Sequence, residues 1–421
     1  MKALWRSGNS VRLLENGEEY FPRVFEAIAQ AKLEVLVETF ILFDDPVGRQ
    51  LQAVLIAAAK RGVRVELTVD GHGSAYLPDT FIGAMTGAGV RYHVFGPQRL
   101  VFGVRTNPLR RLHRKLTVID GTIAFVGGIN FSFDHVRDFG VMAKQDYAVE
   151  VRGPVVADVH RLLERTAGPV PVSRMRRWWR RWRPEALPQP APAGPTRCAL
   201  VTRDNHRHRN DIERHYREAI RAARRDIVIA NAYFFPGYRL LRELRDAARR
   251  GVRVRLILQG HPDMPLVKWL EATLYDILLR AGIEIHEYCE RPLHGKVAVM
   301  DDAWATVGSS NLDPPSLSLN LESNLVIQDR HFNAVLRDRL EHLMRNACRR
   351  VEPTAARSRT LWRRVLTALA FHAARKVPGW ISALPASAPV TAVIAPGETV
   401  PETRAEMPAK DEPRLKTGTR G

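Results

Sequence analysis

One arrangement of polar residues occurs twice in this chain, and it limits the folds the chain can adopt. LHRKLTVIDGTIAFVGGIN (112–130) is matched by LHGKVAVMDDAWATVGSSN (293–311). In both, a histidine is followed by lysine at +2, aspartate at +7, glycine at +14 and asparagine at +17. These are His113, Lys115, Asp120, Gly127 and Asn130, and His294, Lys296, Asp301, Gly308 and Asn311. The duplication extends upstream, where AAAKRGVRVELTVDGH (57–72) recurs as DAARRGVRVRLILQGH (246–261). A helix-like stretch and an apolar run precede each copy: AIAQAKLEVLVETFIL (27–42) and AIRAARRDIVIANAYFF (219–235). Helices and strands therefore alternate in each half, which predicts an α/β protein of two similar sandwich domains facing each other. The period is far too long for a solenoid unit.

The spacing has chemical consequences. Histidine and lysine two apart on an extended chain point to the same face, with Arg114 or Gly295 pointing away. The chain then reverses at Asp120-Gly121 or Asp301-Asp302. The return strand brings the glycine and asparagine back beside the histidine, and glycine there lets backbone approach a ligand. One hairpin thus presents an imidazole, an ammonium and an amide. An imidazole attacks phosphorus and holds a phosphoryl group. Lysine and asparagine stabilise the extra negative charge of the transition state. A second imidazole is needed to protonate the leaving oxygen and later to deprotonate the incoming alcohol. Two facing copies supply both imidazoles. No carboxylate cluster or histidine pair with metal-ligand spacing accompanies them, so no metal is called for. Asp120 and Asp301 fall at turns, where aspartate is common for local reasons, which favours a structural role for them.

The two segments resemble the HxKxxxxD motifs of the phospholipase D superfamily, over about residues 10–350. That resemblance implies the phospholipase D fold, with two α/β sandwich domains containing mixed sheets and related by a pseudo-twofold. It groups His113, Lys115, Asp120, His294, Lys296 and Asp301 as the catalytic set and implies a phosphohistidine intermediate, with no cofactor and no metal. It implies phosphate contacts from Asn130 and Asn311 and a carboxylate orienting each histidine. Glu322 and Asp146 match that carboxylate position, Asp146 at the longer distance from the histidine of its own half. Ser309 matches another family position, whereas its counterpart is Gly128, so the first motif reads GG where GS is the family's usual pair.

Within the superfamily, HRKLTVIDGTIAFVGGINFSFDH followed by DYAVEVRGP is similar to bacterial cardiolipin synthases, and the lack of N-terminal spans points to their B-type branch. The implied activity is phosphatidyl transfer from one phospholipid, such as phosphatidylglycerol, to the hydroxyl of another, with release of glycerol. His113 is taken as nucleophile and His294 as acid/base, although near-symmetry leaves the reverse open. The alternatives are a phospholipase D-type hydrolase and a metal-independent phosphodiesterase acting on nucleic acid.

Charge and composition speak to partners. The 421 residues carry a net charge of +19, which suits polyanions or an anionic membrane face. Arg105, Arg110, Arg111 and Arg114 crowd the approach to His113, either as anion ligands or as a solvated basic loop. The tract RRWWRRWR (176–183) suits a membrane interface or stacking on single-stranded nucleic acid. A basic amphipathic stretch at 355–380, with Leu361, Trp362, Val365, Leu366, Leu369 and Phe371, supplies a second lipid-facing candidate and tips the choice to membrane. Anionic phospholipids and the membrane surface are the expected partners, with neither nucleic acid nor an obligate protein partner. His206 and His208 read as polar loop residues. No run of 18 apolar residues occurs, and the charged N-terminus is unlike a signal peptide. The expected location is peripheral, on the cytoplasmic face of the bacterial inner membrane. The expected organisation is a first domain at 1–168, a basic and Pro-rich linker at 169–196, a second domain at 197–352, the basic helix at 353–380 and a disordered tail at 381–421.

Overall fold

The computed structural model describes residues 4–96, 100–101, 104–105, 111–167, 190–260, 274–302, 304–352, 391–396 and 398. Arg110, the Arg–Trp tract and the 355–380 stretch lie outside these residues, as does the side chain of Arg105. The first half runs β1 (Arg6–Glu15), α1 (Asn16–Gln30), β2 (Glu34–Thr39), α2 (Pro46–Lys60), β3 (Arg64–Asp70), α3 (Asp79–Gly87) and β4 (Arg91–Phe95). A short pair, β5 (Leu100–Val101) and β6 (Val104–Arg105), precedes β7 (Leu116–Ile119), β8 (Ile123–Gly127), β9 (Tyr147–Arg152) and α4 (Val156–Ala167). The second half runs β10 (Thr196–Arg203), α5 (Asp211–Ala222), β11 (Asp226–Asn231), α6 (Tyr238–Arg249), β12 (Arg253–Gln259) and β13 (Glu284–Tyr288). It continues through β14 (Lys296–Met300), β15 (Trp304–Gly308), α7 (Pro314–Ser318), β16 (Glu322–Gln328), α8 (Arg330–Asn346) and β17 (Cys348–Arg350).

The repeated RGVRV segment has the same local purpose in both halves. Gly62 (φ +89°) and Gly251 (φ +86°) end α2 and α6 in the left-handed conformation, and a Cβ at either would meet nothing within 4 Å. The conformation alone therefore demands glycine. The arginine before each glycine caps a neighbouring helix, α1 or α5: Arg61 donates to the carbonyls of Ile28 and Ala31, and Arg250 to those of Ile220 and Arg221. The valines then enter parallel strands buried on both faces, which explains their near-continuous apolar runs.

Apart from the β5–β6 pair, and with β18 (Thr391–Ile394) added from near the C-terminus, the described strands form one mixed sheet in the order β17-β13-β12-β11-β14-β15-β16-β10-β1-β9-β8-β7-β2-β3-β4-β18. This order is palindromic about the antiparallel β1–β10 seam, so the pseudo-twofold passes there. The sheet curls until β8 and β9 pack face to face on β15 and β16. Leu116, Val126 and Val149 of one half and Val297, Val307 and Leu325 of the other then share one core under α4 and α8. Separate outer cores lie beneath α1–α3 and beneath α5 and α6. The expected mixed α/β architecture is thus observed.

One expectation fails. Thr391–Ile394, inside the tail read as disordered, forms β18 on the edge of β4, with Ile394 buried. β18 covers in the first half the edge that β17 covers in the second. A TAVI run has strong β propensity and finds an open edge, which outweighs the Pro-rich composition around it.

The motif aspartates hold turns rather than the reacting groups. Asp120 (φ +49°) and Asp301 (φ +46°) occupy left-handed turn positions. Asp120 accepts from the backbone N–H groups of Lys32, Leu33 and Glu34, and Asp301 from those of Arg224, Arg225 and Asp226. Each pins the β7–β8 or β14–β15 turn to the start of β2 or β11, seven extended residues, or roughly 23 Å, from its histidine. Their grouping with the catalytic set is corrected accordingly. Asp120→Ala and Asp301→Ala are each expected to cost about 1–3 kcal/mol of stability, measured by denaturant unfolding, with the folded fraction keeping near-normal kcat. A large kcat loss at unchanged stability would contradict this role.

Candidate active site

Neither histidine lies within a regular strand; each sits just ahead of one, on a segment hydrogen-bonded to the opposite half. The His113 N–H donates to the Leu321 carbonyl (3.0 Å), and the Leu321 N–H to that of Arg111 (2.8 Å). Reciprocally, the N–H groups of His294 and Gly295 donate to the Gln145 carbonyl (2.8 and 2.9 Å), and the Gln145 N–H to that of Pro292 (2.9 Å). Leu321 and Gln145 immediately precede the two carboxylates. The exchange therefore places Glu322 on His113 and Asp146 on His294, with Nδ1–oxygen distances of 3.0 and 2.5 Å. Each histidine takes its carboxylate from the other half, whereas Asp146 had been compared with the histidine of its own half. Both carboxylates are fully buried, and the imidazole side chains are 13% and 18% exposed, so Nε2 is the nitrogen left for a ligand.

The lysines complete one charge cluster. Lys115 Nζ donates to the His113 carbonyl at 2.6 Å, and Lys296 Nζ donates to that of His294. Burial pushes Lys115 down to about 7 and Lys296 to about 8; in both, Glu322 and Asp146 oppose the fall. Since each lysine senses both carboxylates and each histidine senses both lysines, the two motifs converge. Burial also holds both histidines below their usual range. Glu322 stays below the usual carboxylate range despite its burial, because His113, Lys115 and the Ser309 hydroxyl favour its anion. Burial raises Asp146, against Lys296 and His135. The cluster thus holds two lysines against two carboxylates, with burial disfavouring the charge on both lysines.

The amides of the motifs are in place. Asn130 is buried; its Oδ1 accepts from the Ile41 N–H, and among the described residues its Nδ2 has no partner. Asn311 Oδ1 is likewise buried and unpartnered. Three residues escaped the sequence reading. Asn231, opposite Lys296 in the β11–β14 pairing, accepts from the Leu312 N–H and leaves its buried Nδ2 unpartnered. The Phe40 ring meets His113 edge-on at 4.9 Å. His135, wholly buried, packs edge-on against His294 at 5.4 Å and places Nδ1 3.9 Å from Asp146 Oδ2. Its Nε2 accepts from the Asn130 N–H, so the proton sits on Nδ1, facing Asp146. His135 ends a single 3-10 turn (Phe133–His135), and no spacing rule singles it out.

The Gly128–Ser309 difference has a steric cause. Ser309 Oγ donates to Glu322 and accepts from the Ser323 N–H. A Cβ at Gly128 would lie 2.4 Å from Asp146 Oδ1. Aspartate is one methylene shorter than glutamate, so its carboxylate reaches the partner histidine only by lying against bare backbone. The pairs Gly128–Asp146 and Ser309–Glu322 are alternative solutions to one distance.

Arg114, offered as an anion ligand, is instead buried in an ion pair with Glu38 (2.6 Å) and a hydrogen bond to Thr166 (2.7 Å), on the side away from the site. Arg111 is half-buried beside Asp70. His208 is tied to Asp211 at 2.7 Å in its own loop, and the His206 N–H is held by Asp204. Donor atoms of His135, Asp146 and His294 lie within 4.8 Å of one another, a grouping a cation could bridge. Binding one there would take Asp146 away from His294.

Gly128→Ser, which would restore the GS pair, is expected to fold yet lose about a hundredfold or more in kcat by dislodging Asp146. Ser309→Gly, which removes one hydrogen bond to Glu322, is expected to cost roughly tenfold. Steady-state kinetics of the two variants check the order, and a harmless Gly128→Ser would refute the steric account. Because the lysines titrate at about 7 and about 8, sulfate, whose charge is fixed, should bind more tightly as pH falls from 9 to 6. Calorimetry in buffers of different ionisation enthalpy should record proton uptake near pH 8; affinity rising with pH would contradict the assignment.

Residues 24–161 and 216–344, more than half of the chain, match the family model described as "Cardiolipin synthase, PLD-like domain". The chain is 53% identical over 397 residues to "Cardiolipin synthase B" of Salmonella typhi, covering 94% of this chain and 95% of that protein. It is 52% identical over 398 residues to "Cardiolipin synthase B" of Escherichia coli (strain K12), with 94% and 95% covered. Among solved structures it resembles phosphatidylserine synthase from Haemophilus influenzae Rd KW20, with TM-score 0.63 and 14% identity over 89% of this chain and 95% of that one, a likeness of fold. The paired motifs, the reciprocal carboxylates and these relatives agree: the chain belongs to the cardiolipin synthase family of phospholipase D-like proteins.

Proposed function

We propose that this protein is a cardiolipin synthase that transfers a phosphatidyl group from one phosphatidylglycerol to another through a phosphohistidine. The observation that carries the reading is the pairing of both imidazoles through Nδ1 to buried carboxylates, beside two buried lysines whose charge burial disfavours. Such pairing fixes the tautomer and leaves Nε2 as attacking atom on one ring and proton carrier on the other. A bound phosphodiester restores charge to Lys115 and Lys296, which with Asn130 and Asn311 hold its non-bridging oxygens.

In the first step His113 Nε2 bonds to phosphorus and the bond to the glycerol oxygen breaks, while His294 supplies that oxygen's proton. In the second, His294 takes the proton from the free hydroxyl of another phosphatidylglycerol. The resulting alkoxide displaces His113 from phosphorus, giving cardiolipin. Asp146 stabilises the His294 imidazolium that opens the first step and is re-formed in the second, and His135 Nδ1–H faces that carboxylate as a positioning residue. The substrates are bilayer lipids, so the enzyme works at a membrane surface. No helix among the described residues is long and apolar enough to cross a membrane. The net charge of +19 suits a peripheral place on the anionic cytoplasmic face of the bacterial inner membrane.

With phosphatidylglycerol vesicles the purified protein should form cardiolipin and free glycerol in equal amounts. His113→Ala and His294→Ala should each lower the rate at least about a thousandfold. Phosphatidic acid as the main product would replace transfer with hydrolysis, and nucleic acid cleavage without lipid turnover would overturn the reading. With a nitrophenyl ester donor, whose leaving group needs no proton, His294→Ala should accumulate an acid-labile phosphoenzyme that His113→Ala never forms.

A further inference from the structure

The β8–β9 connection carries Asn130, His135 and Asp146, yet its middle leaves the protein body. Phe139, Val141 and Met142 are 43%, 82% and 55% exposed, so three of the large exposed apolar side chains fall within four residues. The protrusion is held in shape. The Phe139 N–H donates to the Val136 carbonyl (3.0 Å), that of Ala143 to Gly140 (2.9 Å) and that of Lys144 to Asp134 (2.7 Å). The Arg137 N–H is tied to Glu18 across the fold, and Phe139 rests edge-on against Phe133 at 5.9 Å. Gly140 (φ +90°) makes the bend. A water-facing loop gains nothing from a fixed apolar tip.

The tip is close to the reactive groups. Three residues beyond Met142 the chain reaches Gln145, whose carbonyl anchors His294, and then Asp146. The Lys144 ammonium depresses both His294 and Lys296. Tyr76, after β3, and Tyr238, the first residue of α6, are each 38% exposed and lie at the same strand ends that carry the motifs. The phosphodiester of a bilayer lipid lies in the headgroup layer. A protein that reacts with it must set this end against the interface, where apolar and tyrosine side chains are favourably placed.

Resting on the phosphatidyl-transfer reading, we propose that the Phe139–Met142 tip inserts into the surface of an anionic lipid bilayer and seats the mouth of the active site on it. The test is the double variant Val141→Asp/Met142→Asp. On phosphatidylglycerol vesicles, sedimentation binding and turnover should both fall at least about tenfold. Turnover of monomeric dihexanoyl phosphatidylglycerol should stay unchanged. In an otherwise wild-type chain, Val141→Trp emission should shift to the blue on adding these vesicles. Wild-type vesicle binding by the double variant, equal loss on both substrate forms, or a tryptophan that stays water-exposed would each overturn the proposal. Wild-type protein that turns over neither substrate form would instead sink the transfer reading, and the Val141→Trp shift would still decide the docking.

Discussion

The active site depends on an exchange of backbone hydrogen bonds between the two halves. Leu321 bonds to the segment carrying His113, and Gln145 to the segment carrying His294. These bonds are short and local, but the next residue in each donor segment is the carboxylate that fixes a histidine of the opposite half. Neither half contains a complete histidine–carboxylate pair. The β1–β10 seam and the shared core between β8–β9 and β15–β16 hold the exchange in register. Separating the halves would strip each histidine of its carboxylate and expose the shared core to water.

Within that frame the site is preorganised but electrostatically unfinished. Two buried lysines oppose one another, and burial drives both toward neutrality. Two buried carboxylates are committed to the histidines, so they do not relieve the lysines fully. On the proposed reading a phosphodiester adds negative charge beside both lysines, and its oxygens meet donors that need no reorganisation. The unpartnered amides of Asn130 and Asn231 fit the same logic, since a buried N–H without an acceptor is costly until a ligand provides one.

The halves are similar without being equivalent. Glutamate with serine serves one histidine, and aspartate with bare glycine serves the other. The edge-on neighbour is Phe40 for His113 and His135 for His294, so one ring faces a hydrocarbon wall and the other a third imidazole. A two-step transfer asks different things of its two histidines, and this asymmetry differentiates two copies of one motif. It is concentrated in the β8–β9 connection, which also carries the exposed apolar tip.

Much of this was legible in the chain itself. The repeated His-x-Lys pattern and the RGVRV segments revealed a duplicated α/β architecture, because strand and helix periodicities and helix-ending glycines are local properties. The same locality marked Asp120 and Asp301 as turn residues. Contacts between distant residues were not legible. The crossed carboxylates, the approach of His135 and Asn231, the burial of Arg114 on Glu38 and the strand at Thr391–Ile394 each join positions dozens to hundreds of residues apart. Sequence by itself determined which groups the chemistry draws on, since imidazole, ammonium and amide at fixed offsets carry their reactivity with them. Only the tertiary structure decided which carboxylate serves which histidine, because the pairing is set by a sheet that folds one half onto the other, and no spacing within either half encodes it.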